Sequence, residues 1–295
     1  HHRTSHRDQR RHRLSPPTAR QAGPDRQRNR HSKGLAHGHR PTADQGTRHR
    51  HPASGAAAYY ADEQHRGAFV GKIFDETSVD YDRMERIMGL GTGPWYRHQA
   101  LLRAGLAPGM RVCDVGVGTG LVSREAAKIV GDPTLVTGVD PSAGMMANAI
   151  VPEGVQLLNG TAEQLLLPDA SVDFLSMGFA LRHLSSLHAA FSEFQRVLKP
   201  GGRVCILELT RPSGRFAHWA LSLYMNRLLP TVGRMLGRHR RTPEMWRYYW
   251  DTIDACVPPE TVMQTLRDVG FEAVDRYVEI SLFSEYTATK PRALP

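Results

Sequence analysis

Arg111-Val-Cys-Asp-Val-Gly-Val-Gly-Thr-Gly120 is the stretch that decides the fold. A short β-branched strand runs into three alternating glycines, and an apolar helical pattern follows from Leu121. Gly116, Gly118 and Gly120 have no side chain to block a ligand, so the junction is expected to present bare backbone N–H groups at a helix N-terminus. That is the mark of a nucleotide-type cofactor site. A dinucleotide site follows G-x-G-x-x-G and would put its third glycine at position 121, which is Leu. A lone glycine motif is weak evidence, so its companions decide what it holds.

The chain has 295 residues, room for one large domain or two small ones. Its formal charge of +9 is unevenly placed. Residues 1–55 hold 13 Lys/Arg against 3 Asp/Glu, and the remainder holds 25 against 26. The foldable part is therefore near neutral, and a nucleic-acid partner read from the whole-chain pI would be a reading of the tail alone; no nucleic acid is expected. That tail carries nine of the fifteen histidines and almost no apolar residues. It cannot bury enough surface to offset the entropy of ordering, so residues 1–66 are expected to be a disordered, basic His/Arg-rich leader, with order beginning near Ala68 and a single domain over 67–295. No apolar core follows the basic residues, as a secretory signal would require. Cys113, Cys205 and Cys256 stand far apart without a C-x-x-C pair, which reads as buried, reduced thiols in a reducing cytosol; a cytoplasmic location is expected. No apolar run reaches the roughly 18 residues of a spanning helix.

Along the chain, a helical region from Val79 to about Gly105 is broken at Gly89-Leu-Gly-Thr-Gly-Pro94. Short strands are then expected at Arg111–Val115, Leu135–Val139, Val155–Leu158, Asp173–Met177 and Arg203–Leu209, with helices near Leu121–Val130, Ser142–Ala149 and Ala189–Leu198. This alternation implies an α/β fold: a mostly parallel sheet covered by helices on both faces. Pro200-Gly-Gly202 breaks the chain before the fifth strand. Phe216–Arg241 reads as helical, apolar with interspersed Arg, and a helix near Pro259–Val269 follows. Ala273–Ile280 and Ser281–Ala288 leave no room for a helix between them, so the last pair is expected to be antiparallel.

Asp140 ends the second strand about 20 residues after the glycine turn, where a carboxylate can accept hydrogen bonds from ribose hydroxyls. Its alternative is a helix N-cap, since Pro141 and Ser142 follow. Asp114, before the glycines, can order the turn or attract a cationic cofactor. Thr119 can offer its hydroxyl and N–H. Asn159-Gly-Thr-Ala-Glu163 follows the third strand and can flank an adenine, with Thr161 and Ala162 nearest.

Leu167-Pro-Asp-Ala-Ser-Val-Asp-Phe174 and Arg196-Val-Leu-Lys-Pro-Gly-Gly202 are scaffold turns, and with the glycine loop they make Leu106 to Thr210 resemble the Rossmann-like class I methyltransferases that use S-adenosylmethionine (SAM). The resemblance narrows further. Phe74-Asp-Glu-Thr-Ser-Val-Asp-Tyr-Asp82 is similar to the F-D-x-I-A-x-x-Y-D entry of the UbiE-type ubiquinone/menaquinone C-methyltransferases, and Trp95-Tyr-Arg97 to their W-[RK] element. Gly178-Phe-Ala-Leu-Arg-His183 resembles S-F-G-L-R-N, Leu207-Glu-Leu-Thr-Arg-Pro212 resembles L-E-F-S-[KR]-P, and Leu229-Pro-Thr-Val-Gly233 resembles L-P-x-x-G. Trp246-Arg-Tyr-Tyr-Trp-Asp-Thr-Ile253 is similar to Y-x-Y-L-x-E-S-I, and Val269-Gly-Phe271 to A-G-F. The similarity spans about Phe69 to Thr289. Gly178 stands where the family has Ser, Ala180 where it has Gly, His183 where it has Asn, and Thr161 where Asn or Asp is usual.

The resemblance implies a seven-stranded sheet with an antiparallel last strand, a helical N-terminal cap near 70–105 and a helical insertion near 212–258. It implies SAM as cofactor, no metal, and transfer of the SAM methyl to a ring carbon of a polyprenylated quinol made nucleophilic by loss of a hydroxyl proton. Gly178 then falls at a cofactor-binding position. Arg182 is expected to be catalytic, stabilising the developing phenolate or orienting a water, with a structural ion pair as the alternative. His183 is the candidate proton acceptor, since an imidazole titrates near neutrality, with a structural role as its alternative. Tyr81 lines the pocket or packs. Phe216, Trp219, Leu223, Leu228 and Leu229 are placed to cover a prenyl tail, and Arg234, Arg238, Arg240 and Arg241 to meet anionic headgroups at the inner face of a membrane. The other readings are methylation of a different phenolic or lipid small molecule, and a non-catalytic SAM-binding assembly protein. A homodimer is implied by the resemblance alone.

Overall fold

The computed structural model describes residues 63–212, 214–236, 248, 250–253 and 256–292. Residues 1–62, Arg238, Arg240, Arg241 and, within the Trp246–Ile253 segment, Trp246, Arg247 and Tyr249 lie outside them. Helix α1 spans Glu63–Met88 and α2 Gly93–Arg103. The first described residue, Glu63, is already helical, so the described part of the chain starts ahead of Ala68. The break between α1 and α2 falls at the expected glycines, with Leu90 and Gly91 both at positive φ.

The strands are β1 Val112–Val115, β2 Val136–Asp140, β3 Gln156–Asn159, β4 Val172–Gly178, β5 Leu198–Leu209, β6 Glu272–Glu279 and β7 Phe283–Thr289. They form one sheet in the order β3-β2-β1-β4-β5-β7-β6. The first five pair in parallel, and β7 runs antiparallel between β5 and β6. The last two strands are antiparallel as expected, but the later one inserts inside the sheet. β5 begins at Leu198, so Pro200-Gly-Gly202 is the irregular start of the strand and not a turn ahead of it. The register against β4 slips between Val172 and Phe174 to accommodate it.

Helices α3 Leu121–Val130, α4 Ala143–Ala147 and α5 Leu187–Val197 cross between strands. Because both faces are covered, β1 is buried at all its positions. On one face, α5 (Phe191, Phe194, Val197) and α8, Pro259–Asp268 (Val262, Leu266), pack on Leu175, Met177 and Ile206. On the other, Ala100 and Leu101 of α2 and Val122, Ala126 and Val130 of α3 pack on Val112, Phe174 and Leu207. Cys113 and Cys205 are buried in β1 and β5.

After β5 come α6 Arg215–Leu223, a π-helical turn Tyr224–Leu228 and α7 Leu229–Leu236. A third apolar cluster joins Met225 and Leu229 to Ile73 of α1, Leu209, Tyr248 and Ile253. Leu229 is 1% exposed within it, so it does not belong to the tail-covering face; Phe216, Trp219, Leu223 and Leu228 are exposed. Among the described residues, no helix is long and apolar enough to cross a membrane.

Candidate active site

A cavity of about 330 Å³ opens at the C-terminal ends of β1 to β4, where an open α/β sheet reverses its strand order and where ligands bind in such folds. The glycine loop between β1 and α3 forms its floor. Gly116, Gly118 and Gly120 all have left-handed φ, at 71°, 54° and 87°. A Cβ on Gly116 would lie 2.6 Å from that of Ala180, and one on Gly118 would lie 3.2 Å from Met145 Cε. The expectation of bare amides needs correction. The N–H groups of Gly116 and Val117 donate to Val139 O at 2.8 and 3.1 Å, and that of Gly120 donates to Val117 O at 2.8 Å. Gly118 N donates to Asp140 Oδ2 at 2.8 Å. The glycines serve here to bend the chain and clear space, while most of their amides hold β1 to β2.

Asp140 lines the cavity at 8% exposure. Its Oδ1 accepts from Ser142 N at 2.8 Å. The N-cap of α4 is Ser142, whose Oγ accepts from Met145 N, so the cap alternative for Asp140 falls away. Burial raises the Asp140 pKa, and the amide bonds from Ser142 and Gly118 oppose that rise. Thr161 and Ala162 line the same side of the cavity, in the turn after β3, and Gly178 lines the other at the end of β4. A Cβ at 178 would stand 2.5 Å from Val122 Cγ2, which explains glycine there in sheet terms.

Asp114, placed by the sequence either to order the turn or to attract a cationic cofactor, does not line the cavity. It is fully buried behind the loop, where Oδ2 accepts from Ser123 Oγ at 2.7 Å and Oδ1 from Ser176 Oγ at 2.8 Å. Desolvation pushes its pKa up to about 6, against the lowering effect of those two serines. It orders the turn by tying β1 to α3 and β4. Thr119 does line the cavity, yet its hydroxyl donates to Asp82 Oδ1 of α1. The other Asp82 oxygen accepts from Arg124 Nη2 at 2.8 Å. Asp75, also on α1, accepts from Ser142 Oγ and from Gly144 N at 2.8 Å. Helix α1 is thereby fastened to the loop and to α4, and Phe74 and Tyr81 complete the wall.

Arg182, read as catalytic or as half of a structural ion pair, follows β4. It is 3% exposed, absent from the cavity wall, and paired with Glu208 of β5 through Nη1. Its Nε donates to Thr252 Oγ1 at 3.2 Å and its backbone N to Glu208 Oε2 at 3.2 Å. This is the geometry of the ion-pair alternative: a guanidinium beside a fully buried carboxylate is fixed to it. His183, next in sequence, does line the cavity. Its ring stacks on Tyr248 at 5.7 Å, with Nδ1 3.2 Å from Tyr248 Oη, and meets the edge of Phe74 at 5.3 Å.

Two wall residues had no assigned role in the sequence reading. Phe179 adopts φ 60°, an uncommon backbone for a bulky residue and one found at functional sites. Arg97, whose only signal was the Trp95-Tyr-Arg97 element, lines the cavity above the Phe179 ring. The enclosure, the acidic group at the end of β2 and the glycine-cleared floor fit an adenosyl cofactor.

Residues 60–282 match the ubiE/COQ5 methyltransferase family. The ubiquinone/menaquinone biosynthesis C-methyltransferase UbiE of Coxiella burnetii is 30% identical over 213 residues, 70% of this chain and 84% of that protein. The protein of the same name from Shewanella halifaxensis is 28% identical over 213 residues, with the same shares. Among solved structures, a SAM-dependent methyltransferase from Thermotoga maritima, described as a possible histamine N-methyltransferase, aligns with TM-score 0.53 at 24% identity. The alignment covers 74% of this chain and 98% of that one. A putative SAM-dependent methyltransferase from Methanococcus maripaludis gives TM-score 0.53 at 16% identity over 75% and 94%. Both show the class I fold.

Proposed function

The chain belongs to the ubiE/COQ5 methyltransferase family and is a SAM-dependent methyltransferase, and from that premise we propose that it methylates a ring carbon of a polyprenylated quinol precursor in ubiquinone or menaquinone biosynthesis. The observation that carries the proposal is the juxtaposition, in one cavity, of the glycine-cleared floor and Asp140 with an aromatic wall of Phe74, Tyr81 and His183. SAM, when bound, supplies an electrophilic methyl on a positive sulfonium.

The chain's own residues divide the remaining work. Asp140, fixed by two amides, retains lone pairs for the ribose hydroxyls, and the turn carrying Thr161 and Ala162 flanks the adenine. Gly178 and the Gly116–Thr119 loop leave space for the sulfur end. Phe74, Tyr81 and His183 align a flat ring against that end and exclude water. His183 takes the hydroxyl proton as the ring becomes nucleophilic, with Tyr248 holding its other face. Arg182 is a positioning residue: it anchors the turn that presents His183 by way of Glu208 and Thr252.

The exposed Phe216, Trp219, Leu223 and Leu228 support peripheral contact with a membrane that holds the lipophilic substrate. No Asp or Glu occurs from Arg211 to Pro243, while arginines recur, so the segment favours anionic lipid. A cytoplasmic location at the inner membrane face, and a homodimer, belong to the same proposal. The second reading, another phenol or lipid as acceptor, is favoured by Gly178, Ala180 and His183, which depart from the family at the cavity wall.

The test is methyl transfer by the full chain with demethylmenaquinol and a demethylated ubiquinol precursor offered side by side, product mass recorded. One added methyl on either ring carbon supports the proposal and identifies the ring. No product from both, with S-adenosylhomocysteine binding intact, sinks the quinol assignment and leaves the other acceptors and the non-catalytic reading.

A further inference from the structure

Arg97 is 3% exposed and is the only Arg or Lys among the described residues that line the cavity. Glu85 of α1 accepts from its Nη1 at 2.7 Å. Gly93 makes room for this pair, because a Cβ there would stand 2.6 Å from Arg97 Nη1. The guanidinium lies 5.3 Å over the Phe179 ring. Its Nε is buried with no hydrogen-bond partner. A buried charged donor left open is costly, and a guanidinium is built to bind a carboxylate through two parallel N–H groups.

The sheet order places this group relative to the rest of the site. Asp140 and Thr161 follow β2 and β3, and Phe179, which carries Arg97, follows β4, on the far side of β1. A cofactor with its ribose at Asp140 and its adenine at Thr161 extends across β1 toward β4. Its methionine end carries a carboxylate, which needs a cationic partner once buried. Glu163, the other acid in the wall, is held by Ser185 N and Oγ at 2.9 and 2.7 Å and offers no positive charge.

We propose that Arg97 binds the methionine carboxylate of SAM, with Glu85 fixing the guanidinium and Phe179 supporting its face. The proposal rests on the methyltransferase reading and on Asp140 marking the adenosine end.

Calorimetric titration of the full chain tests it with two probes: S-adenosylhomocysteine, which has the carboxylate, and 5′-methylthioadenosine, which has the same adenosyl part without it. Arg97→Gln should weaken S-adenosylhomocysteine about 10- to 100-fold and change methylthioadenosine less than about threefold, the effect of losing a hydrogen-bonded charge. Glu85→Gln breaks the same internal pair but keeps the guanidinium, so its loss should be much smaller. Arg97→Lys, which keeps charge but not the fork, should fall between. Equal losses for both probes, unchanged homocysteine binding in Arg97→Gln, or a Glu85→Gln loss as large would each overturn the assignment. A native chain that binds neither probe would remove the methyltransferase reading itself.

Discussion

Arg182 and Arg97 carry the same guanidinium at nearly the same burial, and the partner decides what each does. Arg182 faces Glu208, which is 0% exposed and accepts from the Arg182 side chain and backbone. Removing one member of such a pair leaves a buried charge uncompensated, so Arg182→Met should cost about 3–5 kcal/mol in urea unfolding. Adding Glu208→Leu should restore most of it. A reacting arginine would instead lower turnover with the unfolding midpoint unchanged. Asp114 gives a second prediction. The folded protein raises its pKa to about 6 by burial, so between the ordinary carboxylate value and about 6 it keeps a proton that the unfolded chain has lost. Stability therefore falls as pH rises through that window, by up to about 3 kcal/mol from this group. Asp114→Asn removes the fall, so its stability relative to the native chain should grow between pH 4 and pH 8; a flat difference would refute this. Asp140 and the glycine loop were legible in the sequence because spacing from a strand end fixes their place. The orientation of Arg182 was not, because its partner Glu208 lies on another strand and no local pattern announces that pairing.

At the scale of elements, the strand pattern was legible because strands buried on both faces read as apolar runs, and the glycines and prolines between them mark the turns. What local pattern could not give was the attachment of α1. Phe74–Asp82 was legible only as a resemblance, yet its carboxylates are what seat the helix: Asp82 on Thr119 and Arg124, Asp75 on Ser142 and Gly144. Those contacts join residues 37 to 69 positions apart, beyond any periodic signal. Asp82→Ala should loosen α1 without unfolding the sheet. Amide exchange should quicken over Glu63–Met88 while β1 and β4 keep their protection. Uniform quickening across the sheet would instead place Asp82 in the global stability. The π-helical turn Tyr224–Leu228 likewise had no sequence signature. It shifts the helical phase so that Met225 and Leu229 face the α1 cluster while Leu228 stays outside.

Along the whole sequence, charge and apolarity are segregated. The basic excess sits in residues 1–55, while the exposed aromatic face sits on α6. If α6 is the membrane-facing element, Phe216→Ser/Trp219→Ser should reduce co-sedimentation with anionic phospholipid vesicles several-fold and leave S-adenosylhomocysteine affinity unaltered. Unreduced sedimentation would move the contact elsewhere. The insertion of β7 bears on how the protein is made. β7 is later in the chain than every other strand, yet it has neighbours on both sides, pairing Val204 with Ala288 and Arg276 with Tyr286. During vectorial synthesis the nascent chain holds β1 to β5 complete while the flank of β5 waits for residues not yet translated. β6 emerges before β7 and has no correct edge to join until β7 arrives. A ribosome stalled before Phe283 would display an open apolar strand margin, which is a template for aggregation and a natural target for chaperones.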